Sequence, residues 1–455
     1  MAETNSGAPI GQVIFAPDSP IFAGSNVQTN IGFGWLPAEY STTREESLAA
    51  RETASLGFVL NNSPVYDVTG PDAVPFLNSV GTNKDFGLMP DGSSKHMLIC
   101  NDDGYILADG LLMKVAENHF RAYWLAPVLD FYLRGSGMNV EGTWVIDEYF
   151  FQIDGPKSLE VMEKVTGSDL HDLTFGQNKE VQLAGATARV HRLGMSGALA
   201  YEVHGPSSVA RDAYQQLRTA VEEVGGRPQG FWNYSLVNHT NGGYPNQVIH
   251  FLPPYRDSGP ALAGFMDQVI PFDLGLHGSA ADDKANAFVT PYDIGWGYLV
   301  NFDHEFPGKA ALQRISQNPP RTAVTLEWNA DDVGEVYSAQ FRGEDAIIYD
   351  RMSNDPVIAI EDYAKGRMRI DYVLVDGKKV GLATGRTPSF DYGTMISLAW
   401  IDREFAIEGT EVKVLWGDVD HPQFEIRATV ARFPYYDGKY RNETFDTAEI
   451  PRAHR

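Results

Sequence analysis

Glu202 is a carboxylate set in the alternating stretch Tyr201-Glu-Val-His204, whose period of two is that of a strand with two unlike faces. A carboxylate in the middle of such a strand sits among packed elements, and a buried charge needs a partner. That partner is either an arginine, the ordinary structural case, or a ligand carrying N–H donors such as a pterin; position alone leaves both open and favours the arginine. The surrounding segment runs from Arg192 to Pro206. Gly194 and Gly197 allow a turn free of Cβ conflicts. Gly205-Pro206 ends the strand and opens a helix, with Pro206 at a first-turn position. Within the same segment Gly194-Met-Ser196-Gly-Ala198 nearly matches a nucleophile elbow, but it follows a turn and not a parallel strand, which argues against a serine hydrolase.

Other familiar chemistries are missing. Gly32-Phe-Gly34 lacks the third glycine and the strand-to-helix setting of a dinucleotide fingerprint. The 11 histidines are scattered without ligand spacing and Cys100 is the single cysteine, so the sequence offers neither a structural metal site nor an intrachain disulfide. With 36 Lys and Arg against 60 Asp and Glu, the net charge of −24 repels phosphate backbones and anionic membranes, and nucleic acid is not an expected partner. The first 30 residues are polar, with neither a basic n-region nor an apolar core, and no run reaches the roughly 18 apolar residues of a spanning helix. The expectation is a cytoplasmic protein with no membrane contact; nothing in the pattern specifies an oligomeric state.

The elements that must position Glu202 are legible in outline. Thr43-Arg-Glu-Glu46 resembles a capping box before a helix to about Ser55. Tyr66-Asp-Val-Thr-Gly-Pro71, Phe151-Gln-Ile-Asp-Gly-Pro156 and Tyr201-Glu-Val-His-Gly-Pro206 share one form, a strand–turn–helix unit reused at uneven spacing within an α+β body. Gly57 to Thr69 reads as one strand, and His96–Cys100 with Tyr105–Val115 as a hairpin around Asn101-Asp-Asp-Gly104. A strand over Phe120–Trp124, a helix over Ala126–Leu133 and an amphipathic helix over residues 207–225 follow. Phe231 to Pro291 is irregular, aromatic and rich in Gly and Pro, the mark of functional loops. After Asn318-Pro-Pro320 short strands dominate, from Ala323–Trp328 to Gln423–Phe433, which reads as an antiparallel barrel or sandwich. The expected division is a surface segment over 1–30, α+β portions over 31–150 and 151–318, and a β domain over 319–455.

Several of these stretches together resemble the tetrahydrofolate-dependent aminomethyltransferase (glycine-cleavage T-protein) superfamily. Phe151-Gln-Ile-Asp-Gly-Pro156 is similar to its Gln-Gly-Pro strand, and Gly194 to Val203 to its turn ending in Tyr-Glu. Gly104-Tyr-Ile-Leu-Ala-Asp109-Gly, Gly295-Trp-Gly-Tyr-Leu-Val-Asn-Phe302 with Gly308-Lys-Ala-Ala-Leu312, and Gly377-Lys-Lys-Val-Gly381 with Thr384-Gly385 resemble three further motifs in the family's order. Glu202-x-x-Gly-Pro206, Tyr234 and Pro291-Tyr-Asp-Ile-Gly295 look like the branch of bacterial aromatic O-demethylases and the methylenetransferase acting on the lignan sesamin.

The resemblance implies a three-domain cloverleaf with a central folate channel and a C-terminal antiparallel β-barrel. It implies tetrahydrofolate as the one-carbon acceptor, with Gln152, Glu202, Tyr201 and Asp109 as folate contacts and Tyr234 with Asp109 as catalytic groups. A carboxylate such as Glu202 suits the pterin's paired N–H donors. The chain departs from the demethylases at Val59 and Asn62, where they carry Gln and His. Leu125 stands where an Arg would hold an aromatic acid, with Arg121 near enough to be the true anchor, and Phe33 replaces a substrate-side tyrosine. Trp124, Phe231, Trp232 and Tyr244 are expected to line the substrate site. The reaction implied is cleavage of an aryl ether, foremost a neutral methylenedioxyphenyl lignan such as sesamin, giving a catechol and 5,10-methylenetetrahydrofolate. The alternatives are O-demethylation of vanillate- or syringate-type aromatics, a non-catalytic folate-binding protein, or the folate subunit of a flavin-linked oxidase.

Overall fold

A computed structural model of the chain describes residues 19–30, 35–58, 65–269, 274–352 and 367–452. Phe33, Val59 and Asn62 lie outside the described residues.

Three sheets carry the architecture. The first is antiparallel and five-stranded, in the order Ser94–Cys100, Ile106–Ala116, His119–Tyr123, Val65–Thr69 and Glu141–Val145. Helices Ala73–Val80 and Val128–Gly135 close its core, which includes Tyr66, Phe76, Leu107 and Phe120. The second sheet has six strands, in the order Asn178–Leu183, Ala186–His191, Ala200–Pro206, Glu148–Asp154, Ser55–Phe58 and Arg227–Pro228. On one face Tyr149, Phe151, Ile153, Tyr201 and Val203 share a core with Tyr214 and Leu217 of helix Ala210–Glu223. The other face carries Gln152, Asp154, Glu202 and His204, as strand alternation requires.

The third sheet closes on itself. Strands Arg367–Val375, Lys378–Ser389, Thr394–Asp402, Arg321–Trp328, Phe424–Ala431 and Glu411–Trp416 pair in that antiparallel order, and the last returns to the first. This is the C-terminal β-barrel that the family resemblance implied, the barrel of the two forms the strand pattern left open, with Val373, Val414, Ile401 and Trp416 in its core. Beyond it the tail turns back to the second sheet, where Phe445 joins the core. Buried Arg192 anchors the tail by donating to the carbonyls of Asn442 and Phe445 and to Thr447 Oγ.

Several local expectations change. The stretch Gly57–Thr69 is two strands in two sheets: Ser55–Phe58 pairs with Glu148–Asp154, and Val65–Thr69 with His119–Tyr123. The sheets therefore cross the sequence boundary at 150. Pro206 ends its strand and caps a short 3-10 turn, so the helix starts at Ala210 and not at a proline-led first turn. Phe231–Pro291 is not all loop. Residues 231–242 form a helical run with a π-helical centre over Asn233–Asn238, and Pro260–Val269 is a helix. The run of Asn, Tyr, Ser and His there has no 3.6-residue apolar period to announce it.

Candidate active site

Glu202 and Gln152 are register partners on adjacent antiparallel strands, side by side on the face opposite the apolar core. Glu202 is only 5% exposed, and no hydrogen bond from the described residues reaches its carboxylate. Burial, followed by the nearby charge of Asp154, pushes its pKa up to about 8. A buried carboxylate with open lone pairs is an acceptor awaiting N–H donors, which fits the pterin edge of tetrahydrofolate.

Gln152 is held by its neighbours. Its Nε2 donates to Asp154 Oδ1 at 2.7 Å and its Oε1 accepts from the Tyr234 hydroxyl at 3.4 Å. Asp154 is wholly buried and also accepts from Gln229 Nε2 at 2.7 Å. Gln229 Oε1 in turn accepts from Asn233 at 2.6 Å and from Asn238 at 3.0 Å, both on the π-helical run. This relay fixes how Tyr234 meets Gln152 and Glu202. A π-helical turn of this kind is a recurrent feature of functional sites. Burial, then the charges of Glu202 and Asp154, hold the Tyr234 phenol well above its usual pKa, so it stays protonated at neutral pH.

Gly57 makes room for that ring. A Cβ at Gly57 would stand 2.9 Å from Tyr234 Cδ2 and 3.0 Å from Gln229 Nε2. Gly57→Ala is therefore expected to displace the phenol and lower turnover by about 10²-fold while the fold survives, as misplacing a reacting group by about 1 Å does. Steady-state kinetics beside a thermal melt checks this; unchanged kcat would show that the ring position does not matter.

Asp109 lies on strand Ile106–Ala116 and is clamped from two sides. Gln247 Nε2 donates to both its carbonyl and its Oδ2 at 3.0 Å, and His96 Nε2 stands 3.3 Å from its Oδ1. His239 falls between the two halves of the site. Its ring meets Tyr234 edge-on at 6.2 Å, and its Nδ1 donates to the Tyr244 carbonyl at 2.8 Å. Burial drops its pKa to about 4 against the opposing pull of the Tyr244 bond and Asp109, so the imidazole is neutral and Nε2 is its acceptor atom. No motif or periodicity announces His239, Gln229 or Gln247. Only the second strand–Gly-Pro unit, which places Asp154 two residues from Gln152 on one strand face, carried a signal.

Other expected contacts are not brought to this face. Tyr201 follows strand alternation into the opposite core, with its hydroxyl buried and without a hydrogen-bond partner among the described residues. Leu125 is fully buried in the core of the five-stranded sheet, and Phe231 belongs to the core under the six-stranded one, with Trp232 packed against it. Tyr244 donates its hydroxyl to Glu443. Trp124 is different: it is 37% exposed and adopts a φ of +66°. Val248, beside the Asp109 clamp at Gln247, is 38% exposed with a φ of +62°. Left-handed backbone is unfavourable for bulky and β-branched residues and clusters at binding sites. A groove of about 870 Å³ lined by Phe76, Phe131, Met138 and Phe265 lies outside the five-stranded lobe, and none of these groups lines it.

Arg121 is fully engaged. It grips Asp67 through two bonds of 2.7 and 2.8 Å and Glu148 through one of 2.9 Å. Arg121→Ala would leave two largely buried carboxylates uncompensated, and destabilisation toward the low end of about 3–5 kcal/mol is expected. Denaturant unfolding measures it; full stability would mean the network is not structural.

The sequence matches the GCVT N-terminal domain family over residues 24–236. It is 43% identical over 431 residues to the sesamin methylene transferase of Sinomonas sp. (strain No.22), covering 92% of this chain and 94% of that protein. It is 32% identical over 428 residues to a syringate O-demethylase of a Sphingobium species, covering 88% and 90%. Streptomyces coelicolor aminomethyltransferase follows at 27% over 394 residues, covering 83% and 86%. Among solved structures, aminomethyltransferase T of the Bartonella henselae glycine cleavage system superposes with a TM-score of 0.67 at 18% identity, over 92% of this chain and 96% of that one. That likeness extends to the three-lobed T-protein fold with its C-terminal barrel. With near-complete coverage and such identity, the chain belongs to the GCVT family of aminomethyltransferase-related one-carbon transferases.

Proposed function

We propose that the chain moves a one-carbon unit from an aryl ether to tetrahydrofolate, with a neutral, bulky methylenedioxyphenyl lignan such as sesamin as substrate. The nucleophilic nitrogen that takes up the carbon is supplied by tetrahydrofolate. Glu202 would hold the pterin's N–H edge through its open carboxylate, and Gln152 would present its remaining N–H beside it. Tyr234, protonated and fixed by Gln152, would give its proton to the departing oxygen. A phenol of raised pKa yields that proton only as charge builds on a leaving oxygen of similar basicity. His239 Nε2 and Asp109 form the basic side of the site and would hold the proton released at the acceptor.

The observation that carries the choice of substrate is the engagement of Arg121. Nearby Arg51 and Arg441 are likewise held by Asp391 and Glu443. A substrate carboxylate would be buried without a partner, which is costly. Trp124 and Val248 instead offer apolar surface, worth about 25 cal/mol per Å² buried.

The sesamin methylene transferase at 43% identity supports this reading, and the syringate enzyme at 32% supports O-demethylation as the second. A panel of methylenedioxy and methoxy aromatics with tetrahydrofolate, read by mass spectrometry, separates them. Sesamin-like compounds should give catechols and 5,10-methylenetetrahydrofolate while vanillate reacts poorly. Efficient turnover of vanillate with no reaction on any methylenedioxy compound would overturn the substrate assignment.

A further inference from the structure

Behind Glu202, away from Tyr234, the same sheet face carries two histidines that the mechanism above leaves idle. His204 lies two residues along the strand, and His191 is the direct register partner of Glu202 on the next strand. Their rings pack at 4.4 Å between centroids, tilted by 30°. Tyr123 meets His204 edge-on at 4.8 Å, and Phe150 lies 4.0 Å from it. His191 is wholly buried and His204 is 2% exposed, yet none of their four ring nitrogens has a hydrogen-bond partner among the described residues. Buried polar atoms are almost always paired, so four orphans in one place call for a role. The nearest acceptor is Glu202: His204 Nε2 stands 3.6 Å from Glu202 Oε2, a few tenths of an ångström beyond a hydrogen bond.

The charged and titratable groups facing this cluster are few. Its own sheet supplies Asp154, Glu148 and Arg189, the opposing sheet Tyr123, Arg121 and Asp67, and the helical run Tyr234. Burial, then its neighbour His191 and the arginines, hold His204 well below its usual pKa. Its ring is thus neutral, with a single N–H to give. Glu202, whose Oε2 stands 3.6 Å from that ring's Nε2, has no donor among the described residues.

We propose that His204, seated on His191, is a positioning residue for Glu202: its Nε2–H turns onto Oε2, favours the ionised carboxylate and aims it at the pterin's N–H edge. This rests on the folate-site reading of Glu202. A neutral donor does this without a salt bridge that would compete with the ligand for the carboxylate.

The test is folate affinity against pH, measured by calorimetric titration of the full chain with tetrahydrofolate under anaerobic conditions. Affinity of the parent should rise from about pH 6 to about pH 8 and then level, because the ionised carboxylate is the binding form. His204→Phe keeps an aromatic ring against His191 and Tyr123 and loses the N–H. It should bind about tenfold more weakly at pH 7 and shift the inflection up by about one pH unit, with the two curves converging at high pH. His204→Gln, which returns an N–H near the same place, should restore the parent profile. A loss of the same factor at every pH, or no loss at any, overturns the proposal. If the Phe variant fails to fold, a Gln variant that folds without the parent profile overturns it equally. Unchanged affinity in Glu202→Ala would instead reject the folate-site reading itself.

Discussion

Glu202→Ala is expected to weaken tetrahydrofolate binding by about 10- to 150-fold, the equivalent of about 1.5–3 kcal/mol for a hydrogen bond to a charged group. The carboxylate is buried on the open face of the six-stranded sheet and has no hydrogen bond of its own among the described residues. Its loss therefore removes ligand contacts and few internal ones, and the fold should persist. A second signature separates lost recognition from general damage. Since burial holds the Glu202 pKa up at about 8, folate affinity in the parent should climb as pH rises toward that value. In the alanine variant that climb should vanish, leaving weak binding that is flat with pH. Equal affinities, with intact circular dichroism, would remove Glu202 from the site.

Tyr234→Phe should leave folding and folate affinity near those of the parent and lower kcat by about 10²–10⁴-fold. The ring still fills the space that Gly57 leaves, while Gln152 Oε1 loses a donor at 3.4 Å, a long bond whose absence costs little. What disappears is the proton for the departing oxygen. Losing it raises the barrier by about 3–5 kcal/mol and appears in kcat, with KM little changed. Single-turnover kinetics should show a slowed chemical step, and the defect should shrink for substrates whose leaving phenol is more acidic. A loss independent of leaving-group acidity would assign Tyr234 to packing.

Strand patterning made much of this site legible. The alternation around Glu202 and the three strand–Gly-Pro units put Glu202 and Gln152 on strands, and the structure makes those strands neighbours in register. The C-terminal strands, whose spacing left barrel and sandwich open, close into the barrel that the family resemblance implied. The same alternation argues against pairing Tyr201 with Glu202 as folate contacts: adjacent strand residues face opposite ways, and Tyr201 is in the core. Leu125 illustrates a different limit. A one-residue motif position says nothing of side-chain direction, and here Trp124, with its left-handed φ, faces outward while Leu125 packs against Gly110. Gln229, Gln247 and His239 reach the site from residues 227–250, where a short parallel strand, a π-helical turn and a strained loop leave no periodic trace. Sequence periodicity reports regular elements, and a site assembled from irregular ones is visible only once the chain is folded.

The measurement that bears most directly on the proposed reaction follows the carbon itself. Sesamin labelled with ¹³C in both methylenedioxy bridges, incubated with the protein and tetrahydrofolate, should yield a catechol that has lost one labelled carbon for each bridge opened and 5,10-methylenetetrahydrofolate carrying that carbon. A lignan that keeps both labelled carbons, or label that leaves it as free formaldehyde at the same rate with and without tetrahydrofolate, would contradict one-carbon transfer at the Glu202–Tyr234 site.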